Sequence, residues 1–519
     1  MLQQVNGRAL DPGTALAVKG VTPRSTVYVG PRLTISRQSD VQRQLELLRE
    51  VADDLGWSLE AEESVRSIRA HRRLLGVVRV DLTVKDKRAT EAPDGWVLLQ
   101  QARARFGLKA MNGVGLDHVV TIRGMNPNPF HDPNPFHDPN PFHDPNPFHD
   151  PNPFHDPNPF HDPNPVQGGS SAAMSSYAVP GMGGRQPMAF AGQKPLRRRR
   201  SAIKGRRPVV ATLDTGCGAH TWLMGVVDTQ VRLDGKPIGY NDPATDPELH
   251  PDQVGPLDGG LDTLAGHGTF IAGLIHQACP DADILAWRIV GSDGAVVESD
   301  LIDALADIAE LARRHRDGEK GGHPIDVLNI SMGYYHETPE DVLFDPTMYE
   351  ILKLLGECGV AVVCSAGNDA TARPMFPAAF APWKGKGGVK TSPNVIPIIS
   401  VGALNPNLVT DALFSNTGPW VRAYAPGAAV MSTVPSFQGG LQPMARTRSY
   451  KRMRESIDID DFRGGFGLWS GTSFAAPLFA GRIAAGLVDR LPDSQQPDRR
   501  AAAVKRQWKV VAALTDIKP

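Results

Sequence analysis

Apolar positions change period several times along residues 31–124. "RLTIS" has the make-up of a short strand. "SDVQRQLELLREVADDLG" then carries Val41, Leu45, Leu48, Ala52 and Leu55 at helical spacing, with Ser39 or Asp40 placed to cap the start and Gly56 to stop the end. "WSLEAE" reads as a second strand. In "VVRVDLTV", Val78, Val80, Leu82 and Val84 alternate with Arg79, Asp81 and Thr83, the period of a half-buried strand. "DGWVLLQQARARFG" predicts a second helix and "HVVTIR" a last strand. The order is β-α-β-β-α-β, a small α+β domain over residues 31–124 that follows an N-terminal tail at 1–30.

From Pro208 the pattern is different. Short, continuously apolar runs ("VVATL", "ADILAWRIV", "DVLNIS", "VAVVCSAG", "NVIPIISVGA") alternate with helical segments such as "SDLIDALADIAELARRH". Apolar strands separated by helices imply a parallel sheet covered on both faces, a doubly wound α/β domain over residues 208–490. Ligands of such sheets gather at the carboxyl ends of the strands. In the final segment, 491–519, "DRRAAAVKRQWKVVAAL" predicts an amphipathic helix with Val504, Trp508 and Val511 on one face.

Residues 125–207 follow neither pattern. The hexapeptide NPFHDP occurs six times in tandem from Asn128 to Pro163, and Gly/Ser/Ala-rich sequence follows. Asn-Pro and Asp-Pro steps favour turns or extended chain, so this stretch reads as a stiff linker. Its histidines (His131, His137, His143, His149, His155, His161) invite a metal-binding reading. One extended repeat spans about 19 Å, however, so ligands from neighbouring repeats meet only if the chain folds back, and a solvated spacer is the simpler expectation. The linker ends in "KPLRRRRSAIKGRR", with eight basic residues and no acidic one.

Composition narrows the function classes. The 519 residues carry 55 Lys+Arg against 56 Asp+Glu, so no global charge marks a nucleic-acid or anionic-membrane partner. The N-terminus lacks a secretory-signal pattern and no apolar stretch reaches membrane-spanning length, which predicts a cytoplasmic protein. Cys217, Cys279, Cys358 and Cys364 show no CxxC spacing, so reduced thiols are expected.

Three polar residues stand at the ends of apolar runs. Asp214 closes "VVATLDTGCGAHT", His267 opens the helix of "LAGHGTFIAGLIHQA", and Ser473 opens that of "WSGTSFAAPLFAG". Singly, each also fits as a turn or capping residue. Together, Asp, His and Ser in the contexts DTG, GHGT and GTSxAAP resemble the subtilisin-like serine peptidases, the subtilases, over roughly residues 208–490. The resemblance implies a subtilisin-like fold and a serine endopeptidase that hydrolyses peptide bonds. Ser473 would be the nucleophile, His267 its general base, and Asp214 the group that orients the imidazole. In "CSAGN", Asn368 would supply the oxyanion-binding amide, and Ser331, Met332 and Gly333 of "NISMG" would pair with an extended substrate.

This chain departs from the family's usual pattern at the pockets. Tyr334 follows Gly333 where a second glycine is common, and Met375 precedes Phe376 where a glycine often floors the first pocket. By resemblance Asp369 lies at the rim of that pocket and Glu298 lines a more distant one. Carboxylates there favour basic side chains, and with "RRRR" at 197–200 they predict self-cleavage near Arg200. The N-terminal domain resembles subtilase prodomains, which implies a self-restrained precursor with intramolecular inhibition. The connection of about eighty residues from Arg123 to Pro208 is longer than usual and argues against insertion of the domain's tail into the active site. The alternative is a catalytically masked binding or scaffold protein on the same fold, recruited by its N-terminal domain. The chemistry requires no cofactor; calcium is compatible with the family, but no contiguous acidic loop names ligands.

Overall fold

The computed structural model describes residues 5–13, 16–62, 75–85, 91–122, 174, 177, 179–255, 258–338, 347–385, 388–493 and 498–519. The NPFHDP repeats and their proposed metal or spacer role lie outside the described residues.

The N-terminal part is built from β1 (Gly7–Ala9), β2 (Val27–Ser36), α1 (Val41–Asp54), β3 (Trp57–Glu62), β4 (Val77–Val84), α2 (Gly95–Phe106) and β5 (Val114–Thr121). Asp40 caps α1 by accepting from Arg43 N, and Asp94 caps α2 through Trp96 N and Val97 N. The apolar faces of both helices close over one side of an antiparallel sheet, with Leu33, Ile35, Leu48, Val80, Leu98 and Leu99 in the core between them.

The larger part is an α/β unit with a seven-stranded sheet in which every pairing is parallel. Its strands are β6 (Val209–Asp214), β7 (Val227–Asp228), β8 (Asp283–Arg288), β10 (Val327–Ile330), β11 (Ala361–Ser365), β12 (Ile399–Leu404) and β13 (Ala423–Pro426), in the order β13-β12-β11-β10-β6-β8-β7. A three-residue strand, β9 (Ala295–Val297), leaves this sheet and joins the N-terminal one. The helices are α3 (His267–Ala278), α4 (Glu298–Asp317), α5 (Thr347–Glu357), α6 (Thr472–Leu487) and α7 (Arg500–Leu514). Val504, Trp508 and Val511 of α7 are buried. Strand order reverses about β6, opening a crevice at the carboxyl ends of β6 and β10.

The basic run lies at the opposite end of the sheet. Arg197 pairs with Asp283 at the amino end of β8, and Arg198 with Asp281 at 2.7 Å and Asp489 at 3.0 Å. Arg197 and Arg198 are thus fastened to carboxylates near the amino end of β8, the end opposite the one that carries Asp214.

Candidate active site

Asp214 is the last residue of β6 and is fully buried. Its Oδ1 accepts from His267 Nδ1 at 2.7 Å and from Thr215 N at 2.8 Å. The imidazole is thereby held with its Nδ1 proton toward Asp214. His267 is the first residue of α3, and the ring meets Trp469 edge-on, centroids 5.6 Å apart. The next residue has to be glycine: a Cβ on Gly268 would stand 2.1 Å from Gly216 O, so any side chain would push the helix away from the strand end.

Ser473 is the second residue of α6, in the turn whose N–H groups have no partner within the helix. Its hydroxyl donates to Ser331 O at 3.3 Å, and Ser331 Oγ donates to Ser473 O at 3.0 Å. Asn368 accepts through Oδ1 from Thr472 N at 2.8 Å and from Thr472 Oγ1 at 2.9 Å, which fixes the orientation of its amide beside the same turn. The structure therefore gathers Asp214 with His267, and Ser473 with Ser331 and Asn368, at the carboxyl ends of β6, β10 and β11.

One carboxylate at this site gives no signal in the sequence. Glu248, buried in the loop between β7 and α3, accepts from Thr215 Oγ1 at 2.6 Å, Gly268 N at 3.0 Å and Thr269 Oγ1. It ties the end of the Asp214 strand to the start of the His267 helix. Burial pushes its pKa up to about 7, against the pull of the two threonine hydroxyls and with the help of Asp214. The stretch "DPELHPD" has the make-up of an ordinary turn, so only the fold reveals this residue.

The N-terminal domain occupies the strand expected to bind substrate. Thr121 N donates to Gly333 O at 3.0 Å and Gly333 N donates to Thr121 O at 2.9 Å. On its other edge β5 pairs antiparallel with β9, Thr121 opposite Ala295 and Val119 opposite Val297. The end of β5 is thus an added strand between two edges of the larger domain, contrary to the expectation from linker length. A Cβ on Gly333 would meet Met375 Cε and Phe376 O, each at 2.7 Å, so the strand is backed tightly by those residues. Met332 points into the core and is 1% exposed.

The two acidic residues expected at the pockets are engaged. Asp369 accepts from Tyr335 Oη at 2.7 Å, and burial pushes its pKa up to about 6 against Tyr335 and Arg373. Glu298 accepts from Tyr334 Oη at 2.6 Å and from His118 Nδ1 at 2.5 Å. His118, on β5, gives its other ring nitrogen to Glu337 at 2.7 Å. Burial disfavours a charged ring there, yet Glu298 and Glu337 outweigh it and hold the pKa up at about 10. His118, His336 and Glu337 are close enough to share a metal ion, but both ring nitrogens of His118 are already engaged, by Glu298 and Glu337.

The profile of the Subtilase family matches residues 205–511, more than half of the chain. The chain belongs to the subtilase family. Among its relatives, an "Intracellular serine protease" of Paenibacillus polymyxa is 26% identical over 323 residues, covering 58% of this subtilase and 74% of the relative. The "Major intracellular serine protease" of Bacillus subtilis is 24% identical over 300 residues, covering 54% and 69%. Among solved structures, fervidolysin from Fervidobacterium pennivorans aligns at a TM-score of 0.45 and 19% identity, over 92% of this subtilase and 59% of the other chain. Membership supports serine endopeptidase activity on peptides or proteins. Among the described residues, no helix is long and apolar enough to cross a membrane.

Proposed function

We propose that this subtilase is a serine endopeptidase acting through Asp214, His267 and Ser473, made as a precursor that its own N-terminal domain restrains. The observation that carries the catalytic reading is the 2.7 Å bond from Asp214 to His267, set at strand ends beside a serine in the first turn of a helix. In the reaction, the Ser473 hydroxyl turns from Ser331 O toward His267, gives up its proton and attacks the scissile carbonyl. Asp214 stabilises the imidazolium. The oxyanion that forms is met by the Asn368 amide and the Ser473 backbone N–H. Every step uses side chains and backbone groups of this chain.

The pairing of Thr121 with Gly333 supports the restraint. An added strand competes with any extended peptide for the same edges. Gly333 lies two residues after Ser331, whose carbonyl accepts from Ser473 Oγ, so the pairing stands beside the serine. The rival reading, a masked binding protein, draws on the same covered cleft. Hydrolysis of casein by the full chain, followed over hours and compared with Ser473→Ala, separates them. A lag that ends as the chain is trimmed supports the restrained enzyme, and no hydrolysis by trimmed or untrimmed protein would sink it.

A further inference from the structure

The ring of His118 sits in a cage that belongs to the larger domain. Glu298 and Glu337 accept from its two nitrogens, Tyr334 stacks on it with centroids 4.6 Å apart, and His336 faces it at 5.0 Å. The cage is finished on the substrate side of the fold, since β5, which delivers His118, is held by the same β9 and Gly333 edges that would take a substrate.

We propose that this cage is a substrate subsite that selects a cationic side chain three residues upstream of the residue paired with Gly333, with His118 as its resident occupant in the restrained form. This rests on the peptidase reading given above. The chemistry follows from what remains when β5 leaves. In the docked form Glu298 and Glu337 are 8% and 1% exposed, and withdrawal of β5 takes away the imidazolium that neutralises both. Arg103 of α2, whose charge also acts on Glu337, departs with the same domain. With β5 gone the two carboxylates face each other across the cage without their counter-charge, and a guanidinium or ammonium arriving on a substrate strand in the place of β5 is paired there as the imidazolium was. Tyr334 adds an aromatic face, which suits an arginine best. The tyrosine that replaces the family's more usual glycine thus builds one wall of the cage while its hydroxyl fixes Glu298.

Two measurements on the full chain test this. First, autoprocessed protein is given matched peptides carrying Arg, Ala or Glu at the fourth residue of the upstream stretch, counted back from the one opposite Gly333. The expected result is a kcat/KM for Arg about thirtyfold or more above Ala, with Glu lowest, and an Arg-to-Ala ratio that falls toward one in Glu298→Gln. Equal rates for Arg and Ala would overturn the proposal. Second, His118→Ala leaves the cage empty in the docked form, so methylguanidinium in the millimolar range should raise the Tm of His118→Ala and leave wild type and His118→Ala/Glu298→Gln unmoved. Absence of that rescue would also overturn it. Rescue without labelling of Ser473 by a fluorophosphonate would uphold the cation site and count against the peptidase reading instead.

Discussion

Thr121 and Gly333 exchange both of their backbone hydrogen bonds, which makes the tail of the N-terminal domain a strand of the larger domain. The pairing is reinforced further along β5. Asp117 accepts from Ser299 N at 3.0 Å and Ser299 Oγ at 2.8 Å, so it caps α4, whose own preceding residue, Val297, supplies no side-chain cap. Arg79 of β4 reaches Asp300 and Asp303 of the same helix. Strand pairing, a cap donated from another domain and an ion pair all depend on one docked position.

Removing the cap loosens that position. Asp117→Ala is expected to weaken docking by about 1–2 kcal/mol, which is about five- to thirtyfold in the docked-to-open ratio. Freshly purified, untrimmed protein should then hydrolyse a small peptide faster than wild type by a factor of that order. An unchanged initial rate would show that docking of β5 does not limit access.

Docking also depends on pH, through His118. Its pKa lies above the ordinary 6.5 at about 10, so its contribution is complete below about 6.5 and is lost as pH rises toward 10. Despite burial, Glu298 is held below its ordinary 4.5 by His118, and Glu337 by His336 and His118, so their contribution is present above that value and lost in acid. His336, held down to about 4 by burial, stays neutral between these limits; Arg103 keeps its charge, and the Tyr334 hydroxyl donates to Glu298. In a Ser473→Ala background, the difference in urea midpoint between the His118 chain and His118→Gln should be greatest near pH 5–6 and shrink steadily to pH 9–10. A difference that grows with pH would contradict this.

Glu248 predicts a stability effect of its own. Because its pKa is raised to about 7, its contribution is present in acid and is lost as pH climbs from the ordinary 4.5 through 7. Glu248→Gln cannot ionise, so its urea midpoint should gain on wild type above pH 7. Glu248→Ala leaves Thr215, Gly268 and Thr269 without their acceptor and should cost about 1–3 kcal/mol at every pH, with a lower kcat. A Glu248→Gln curve parallel to wild type across that range would count against an ionising carboxyl there.

Local patterns carried the elements well where they ran long. "WSLEAE" and "VVRVDLTV" coincide with the β3 and β4 strands, and the helical spacing from Val41 coincides with α1. The strand expected at "HVVTIR" begins four residues earlier, at Val114, because the sheet recruits Gly115, Leu116 and Asp117 as well. What escaped the sequence was non-local. Ala295–Val297 is three residues long and has no periodicity of its own; it is a strand because β5 arrives beside it. The long connection misled for a physical reason: loop-closure entropy rises only with the logarithm of length, so eighty residues hinder insertion little more than twenty would. Asp214, His267, Ser473 and Asn368 stood out because each sits in a short motif at an element's end. Glu248, His118 and Glu337 did not, since their partners lie far away along the chain.

The central claim is that Ser473 is an activated nucleophile behind a removable strand. Its most direct test is fluorophosphonate labelling of the full chain and of Ser473→Ala, read as intact and fragment masses during autoprocessing. The account predicts one adduct, on Ser473, absent from Ser473→Ala, on a species trimmed of its N-terminal domain. Folded protein that never takes the label, or takes it equally with alanine at 473, would contradict it.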